Sequence, residues 1–217
     1  MDLENLRRSY DENTLEQRDL HDCPFRQFAD WFENAESSKS ADWFEANAMT
    51  LATGDGNGRI SSRIVLLKKV TENGFVFFTN YQSEKGKQLA SCPSGSLVFY
   101  WPHVERQIRV EGSVVRVAPE LSDEYFHSRP RGSQLGAMAS PQSQPLSSRK
   151  ELVDATMKLA EHFEQEDVLP RPEYWGGYEL IADRIEFWQG RPSRLHDRFV
   201  YTKDEGSNLW SVARLAP

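Results

Sequence analysis

Glu105-Arg-Gln-Ile-Arg-Val-Glu-Gly-Ser-Val-Val-Arg-Val117 reads as a long β-strand. Ile108 and Val110 fall on one side and Gln107, Arg109 and Glu111 on the other, the period of two that a half-buried strand requires. Val115 and Val117 reverse the phase, and Gly112 before them permits a bulge. Working outward, Ser96–Trp101 is a second strand halted by Pro102, and Phe75–Thr79 is a third behind the hairpin signal Asn73-Gly74. Ala48–Thr53 and Ile60–Lys69 flank the glycine-rich turn Gly54–Gly58, and the last strands begin at Trp175 and close with Leu209–Pro217. Short antiparallel strands joined by tight turns, with helices between them, predict a mainly β (α+β) protein built on a small closed or nearly closed barrel.

The helices follow from a different period. Phe25, Phe28, Ala29, Phe32 and Ala35 keep helical spacing behind Pro24, which suits a first turn. A short helix is expected after the polar turn at 80–84, with Lys85 and Lys87 near its start, and another over Pro119–His127. Ser148-Arg-Lys-Glu151 is a capping box that opens an amphipathic helix carrying Leu152, Ala155, Leu159 and Phe163. Gly132–Ser147, rich in Ser, Gln, Gly and Pro, lacks core periodicity and reads as a long functional or disordered loop. Residues 1–20 read as a flexible N-terminal arm, and 21–217 as one domain with no internal repeat.

At 217 residues, 38% hydrophobic and 12% aromatic, the chain is long enough for one sizeable core. A formal charge of −7 disfavours a general nucleic-acid-binding role, so any phosphate must be met by a local cluster of Arg and Lys. Cys23 and Cys92 have no metal-ligand spacing, and neither a zinc site nor a disulfide framework is expected. The Met-Asp-Leu-Glu start is no secretory signal and no run is long enough to cross a bilayer, which together imply a cytoplasmic protein.

Polar chemistry is densest after Arg184-Ile-Glu-Phe-Trp-Gln-Gly190, a strand that turns at Gly190 and Pro192. In an extended continuation Arg194, His196 and Arg198 share one side. Two cations and an imidazole on one face suit an anionic, planar, titratable ligand; a solvated edge strand is the alternative. Arg63 and Lys68 have opposite parity, so they serve one pocket only if a kink re-aims one of them; otherwise they meet two separate anions. Lys85 and Lys87 beside a helix N-terminus suit an anion, although solvent exposure explains them equally. Tyr125, Arg129, Arg131 and Ser133 are all able to hydrogen-bond phosphate.

Arg63–Lys68, Phe78-Thr79-Asn80, Glu105-Arg-Gln107, Tyr125–Ser133, Gln142-Ser143, Ile185–Gly190 and Arg194–Arg198, in that order, resemble the pyridoxamine 5'-phosphate oxidase family from Leu6 to Pro217. The resemblance implies an FMN-binding split β-barrel acting as a homodimer, with active sites built from both subunits and a C-terminal dimerisation and active-site segment at 175–217. It implies FMN-dependent oxidation of pyridoxamine or pyridoxine 5'-phosphate to pyridoxal 5'-phosphate by O2, with release of H2O2. By position it implies FMN contacts at Arg63, Ile64, Val65, Leu66, Leu67, Lys68, Phe78, Thr79, Lys85, Gln107, Gln142, Ser143, Trp188 and Arg198. The substrate phosphate falls to Lys68, Tyr125, Arg129 and Ser133; Arg194 and His196 flank the pyridine ring and carry the catalytic role. Arg7, Arg8 and Tyr10 form a substrate lid.

Two positions depart from the family pattern. Glu84 stands where an arginine for the FMN phosphate is expected, which predicts weaker FMN retention, and Met138 stands for a Trp. Competing readings are a flavin-dependent split-barrel oxidoreductase of other specificity and a carrier of FMN or pyridoxal phosphate without turnover; a carrier would not need both the cofactor cluster and the ring-flanking pair.

Overall fold

The structure is a computed structural model that describes residues 9–10, 13–39, 41–204, 206–207 and 209–217; the lid positions Arg7 and Arg8 lie outside them. In chain order the elements are α1 (Pro24–Ser37), β1 (Ala48–Gly54), β2 (Ile60–Leu66), β3 (Lys69–Val70), β4 (Gly74–Asn80), α2 (Glu84–Ser91), β5 (Ser94–Trp101), β6 (Arg106–Arg116), α3 (Pro119–Ser128), α4 (Arg131–Ala139), α5 (Arg149–His162), β7 (Trp175–Gln189), β8 (Asp197–Lys203) and β9 (Trp210–Arg214). The strands form one antiparallel sheet in the order β2-β1-β5-β6-β7-β4-β3, with β8 also paired to β7 and β9 to β8.

The sheet curls because one chain segment stands at both ends of that order. The Leu67 amide donates to Asn47 O at 2.8 Å, continuing the β1 side, and the next amide, Lys68, donates to Val76 O at 2.9 Å on β4. The strand exchanges partners between these two residues and closes the barrel. Leu51, Leu97, Phe99, Ile108, Val110, Leu180, Ile185 and Phe187 fill the interior, each fully buried. Helix α1 covers one opening through Phe28, Trp31 and Ala35; Trp31 takes the core position, and Ala29, expected inward, is exposed.

The expected phase change falls on a different strand. Glu111 pairs with Arg184 and Gly112 with Ala182, so the extra residue is Asp183 of β7. Strand β6 therefore keeps its alternation: Val114 is 4% exposed and Val115 46%. Gly112 serves close approach instead, because a Cβ there would stand 1.9 Å from Ile181 O.

The segment 132–147 is a loop only in its second half. Helix α4 occupies Arg131–Ala139 and buries Gln134 and Leu135. Its one buried apolar residue, Leu135, packs with Phe126, Leu169 and Trp175, with Ala137 and Met138 partly buried beside them, while Gln134 Nε2 donates to Arg129 O at 2.7 Å and Tyr174 Oη to Met138 O at 2.7 Å. Tertiary bonds stabilise a helix that periodicity does not announce. Helix α5 starts at Ser148 as expected: its Oγ accepts from the Glu151 amide, and Glu151 Oε2 accepts from the Ser147 amide and hydroxyl.

Candidate active site

A cleft of about 850 Å³ opens between β2, the end of β4, the start of α2, the α3–α4 region and the first residue of β7. Of the residues that the family resemblance singles out, Arg63, Ile64, Val65, Leu66, Lys68, Phe78, Thr79, Lys85, Tyr125, Arg129, Ser133, Gln142 and Ser143 line it. Leu67 does not: its side chain is 7% exposed and belongs to the core. The partner exchange that turns Leu67 inward also aims Lys68 into the same cleft as Arg63, so the kink is present.

The cations are not equivalent. Arg63 is turned to the back of the cleft, where Nη1 donates to Leu51 O (3.1 Å) and Thr53 Oγ1 (2.6 Å) and Nη2 to Gln88 Oε1 (3.3 Å). Lys85 is 9% exposed, and its ammonium donates to Thr79 Oγ1 (3.2 Å), Ser83 Oγ (3.4 Å) and Gln142 Oε1 (3.1 Å). Burial, then the nearby Arg63, lower its pKa to about 8 against the pull of Glu84. Glu84 lies at the rim, half-exposed, with Arg59 Nη2 at 3.8 Å and Ser61 Oγ donating at 3.5 Å.

The other end of the cleft is aromatic. Phe78 and Tyr125 stack with centroids 4.0 Å apart, Lys68 Nζ lies 5.8 Å from the Tyr125 ring centre, and burial lowers the Arg129 pKa. Arg129 Nη1 is buried without a hydrogen-bond partner. A buried, unpaired guanidinium donor is costly unless a ligand accepts from it, and a phosphate oxygen suits its fork.

Gln107, Trp188, Arg194, His196, Arg198 and Tyr10 do not line this cleft. Gln107 is in register with Trp188, and Trp188 with Arg198, so the three share the outer face of the sheet. The His196 ring lies 4.6 Å from that of Trp188, and Tyr10 meets both edge-on at 5.8 and 5.7 Å. Arg194 is not in an extended strand: it ends a 3-10 turn, with Ser193 and Arg194 in left-handed backbone at φ 57° and 62°. The expected three-residue alternation therefore fails at its first member, because the chain coils before β8 begins. His196 Nδ1 accepts from the Arg191 amide at 3.0 Å, which leaves its proton on Nε2; burial, then Arg194, lower its pKa against the pull of Asp197. Arg198 is clamped by Glu186, whose Oε1 accepts from Nε at 2.9 Å and Nη2 at 2.8 Å, and Arg198 Nη1 donates to Ala216 O. Glu186, 2% exposed, and Trp175 were not singled out by sequence; a carboxylate on the outward parity of β7 among arginines was the available signal for the first.

The fold and cleft define an antiparallel, partly closed β-barrel protein with two sets of cationic side chains in one cleft. The chain belongs to the pyridoxamine 5'-phosphate oxidase family. Residues 39–163 match that family and residues 175–217 match the pyridoxine 5'-phosphate oxidase C-terminal dimerisation region. A pyridoxine/pyridoxamine 5'-phosphate oxidase of Paraburkholderia phytofirmans is 51% identical over 215 residues, 99% of each chain. One of Rhodopirellula baltica is 47% identical over 216 residues, 99% of this chain and 96% of that one. Among solved structures, PhzG from Burkholderia lata in complex with tetrahydrophenazine-1-carboxylic acid superposes with a TM-score of 0.87 at 30% identity, covering 96% of this chain and 100% of that one. A pyridoxamine 5'-phosphate oxidase-related FMN-binding protein of Nostoc punctiforme shares the fold, at TM-score 0.69, 16% identity and coverage of 89% and 97%. Among the described residues no helix is long and apolar enough to cross a membrane.

Proposed function

We propose that this protein oxidises pyridoxamine or pyridoxine 5'-phosphate to pyridoxal 5'-phosphate with FMN as cofactor, O2 accepting the electrons to give H2O2 and the amine substrate also consuming water and releasing ammonia. The observation that carries the reading is the pairing of two cationic sets in one cleft, Arg63 and Lys85 at one end and Lys68 and Arg129 at the other. FMN and substrate each bring one phosphate, and the orphaned Nη1 of Arg129 fits a phosphate oxygen. When bound, FMN supplies the hydride chemistry. The chain's own task is placement: Lys68, Tyr125, Arg129 and Ser133 hold the substrate phosphate, and Arg63, Lys85, Thr79 and Gln142 hold that of the cofactor.

The ring-flanking residues reach this cleft from a second copy of the chain. Trp175 lines the cleft at the start of β7, whereas Trp188 lies 13 residues further along the same strand. At about 3.3 Å per residue that is on the order of 40 Å, too far for one subunit to close. A homodimer joined through the outer face, where Ile64 and Tyr100 stand 64% and 51% exposed, brings Gln107, Trp188, Arg194, His196 and Arg198 of one copy to the cleft of the other. His196, neutral and protonated on Nε2, then donates to the phenolic oxygen of the substrate while Arg194 lies against the ring.

The test is a visible spectrum of the FMN-loaded protein, taken anaerobically before and after pyridoxamine 5'-phosphate and again in air. Bleaching, recovery in air and formation of an aldehyde and peroxide are expected; a flavin that stays oxidised overturns the reading. The likeness to PhzG supports a second reading, an oxidoreductase acting on another ring substrate. That reading predicts bleaching by a dihydroaromatic acid and none by pyridoxamine 5'-phosphate.

A further inference from the structure

We infer that Trp175 is a positioning residue for the substrate phosphate, acting by seating the Arg129 guanidinium on its indole face; the inference rests on the proposed function above. Trp175 is 6% exposed and lines the cleft. Its ring is nearly parallel to those of Phe78 (5.7 Å, 13°) and Tyr125 (6.1 Å, 10°). Arg129 Cζ lies 4.8 Å from the Trp175 ring centre, as Lys68 Nζ lies 5.8 Å from that of Tyr125. Both cations assigned to the substrate phosphate are thus carried by one aromatic set, and each is held through its π-face attraction.

Stacking matters for a guanidinium because it occupies the face and leaves the in-plane donors to other partners. Arg129 Nη1 is one such donor, buried and without a protein acceptor. A flexible arginine would turn such a donor to water or to a carbonyl, and the indole denies it that freedom. Trp175 is itself fixed from both sides. Its amide donates to Pro172 O at 3.0 Å, and its carbonyl accepts from Arg171 Nη1 at 2.6 Å. Arg171 Nε in turn pairs with Asp123 Oδ1 at 2.6 Å, on the helix that carries Tyr125 and ends at Arg129. The start of β7 and the end of α3 are therefore locked in one register. Gly177 preserves it, since a Cβ there would come within 2.6 Å of Val117 and 2.8 Å of Phe78.

A residue that only packs between Phe126, Leu135 and Leu169 would lower stability without selecting for phosphate. The experiment uses FMN-saturated wild type, Trp175→Leu, Trp175→Phe and Arg129→Gln, with the double variant W175L/R129Q. It measures KM and kcat for pyridoxamine 5'-phosphate and, by calorimetry, the affinity for inorganic phosphate. Trp175→Leu is expected to raise KM and weaken phosphate about tenfold with kcat within about twofold, while Trp175→Phe gives a smaller change in the same direction. In the Arg129→Gln background the Trp175→Leu effect disappears. Unchanged KM and phosphate affinity, or an undiminished effect without Arg129, overturns the inference. Should Trp175→Leu not fold, Trp175→Phe alone and in the Arg129→Gln background decides by the same criteria. If wild type does not turn over pyridoxamine 5'-phosphate the proposed reaction fails, while the phosphate titrations still judge Trp175.

Discussion

Arg63 and Lys68 line one cleft although strand parity aims them to opposite faces. The reconciling event lies between them: the strand leaves β1 at Leu67 and joins β4 at Lys68, through amide bonds to Asn47 O and Val76 O. The junction that closes the barrel thus also brings the two cations to one site. Barrel closure and the meeting of Arg63 and Lys68 in one cleft follow from the same two hydrogen bonds.

The Lys85 ammonium makes the cleft sensitive to pH. Its folded pKa of about 8 lies below the ordinary 10.5, so between those values the unfolded chain holds more protons and the ligand-free protein gains stability as pH rises. Below about pH 8 the cost of burying the charge is fully present. Anion binding runs in the opposite sense, because the cation is lost. Inorganic phosphate affinity of the FMN-free protein is expected to fall between pH 7 and 9, and Lys85→Gln to flatten that dependence; an equal slope in the variant would refute the assignment.

Glu84 is held at the rim by Arg59 at 3.8 Å. If the cofactor phosphate sits as proposed, replacing Glu84 with arginine removes a repelling charge and adds an attracting one. Equilibrium dialysis is expected to show FMN held on the order of tenfold more tightly by Glu84→Arg, equivalent to about 1.4 kcal/mol. Unchanged affinity would show that Lys85 and Arg63 suffice.

Arg194 occupies a left-handed backbone position at φ 62°, beside the ring pair of Trp188 and His196. Its proposed contact is with the reacting substrate and not with FMN. Arg194→Ala should lower kcat roughly 100-fold through lost placement while FMN content stays near that of wild type. Parallel loss of flavin and turnover would remove it from the catalytic role.

Glu186 is the buried counter-charge of the outer face, with Arg198 at 2.8 Å, Arg109 at 3.4 Å and Arg184 at 3.7 Å. Deleting its charge leaves Arg198 without a carboxylate partner, while Arg109 and Arg184 keep Glu111 at 2.8 and 3.3 Å. Glu186→Gln is expected to cost on the order of 3 kcal/mol in urea unfolding at pH 7. A change below about 0.5 kcal/mol, the level of ordinary surface substitutions, would show the network to be dispensable.

Most of the barrel was legible because its signals are local. Asn73-Gly74, the glycines of 54–58 and the run Phe75–Thr79 announce strands and turns by residue type alone. The helix over Arg131–Ala139 was not legible, since its one buried apolar residue, Leu135, finds its partners in Phe126 of the preceding helix and in Leu169 and Trp175 far along the chain. Val115 faces outward, against the expected change of phase, for a similar reason. Gly112 suggests a bulge on its own strand, but the extra residue is Asp183 of the strand opposite.

By itself the sequence determined the chemical inventory, namely alternating strands, tight turns and a cleft's complement of Arg, Lys, Tyr and Ser. Those follow from side-chain period and turn chemistry, which act over a few residues. Tertiary structure decided which of these groups meet. It seated Arg129 on Trp175, turned Leu67 into the core and Lys68 out of it, and stretched β7 so that Trp175 and Trp188 serve opposite ends. Those outcomes depend on hydrogen-bond partners and ring contacts supplied by segments far apart in the chain, which no local pattern of residues encodes.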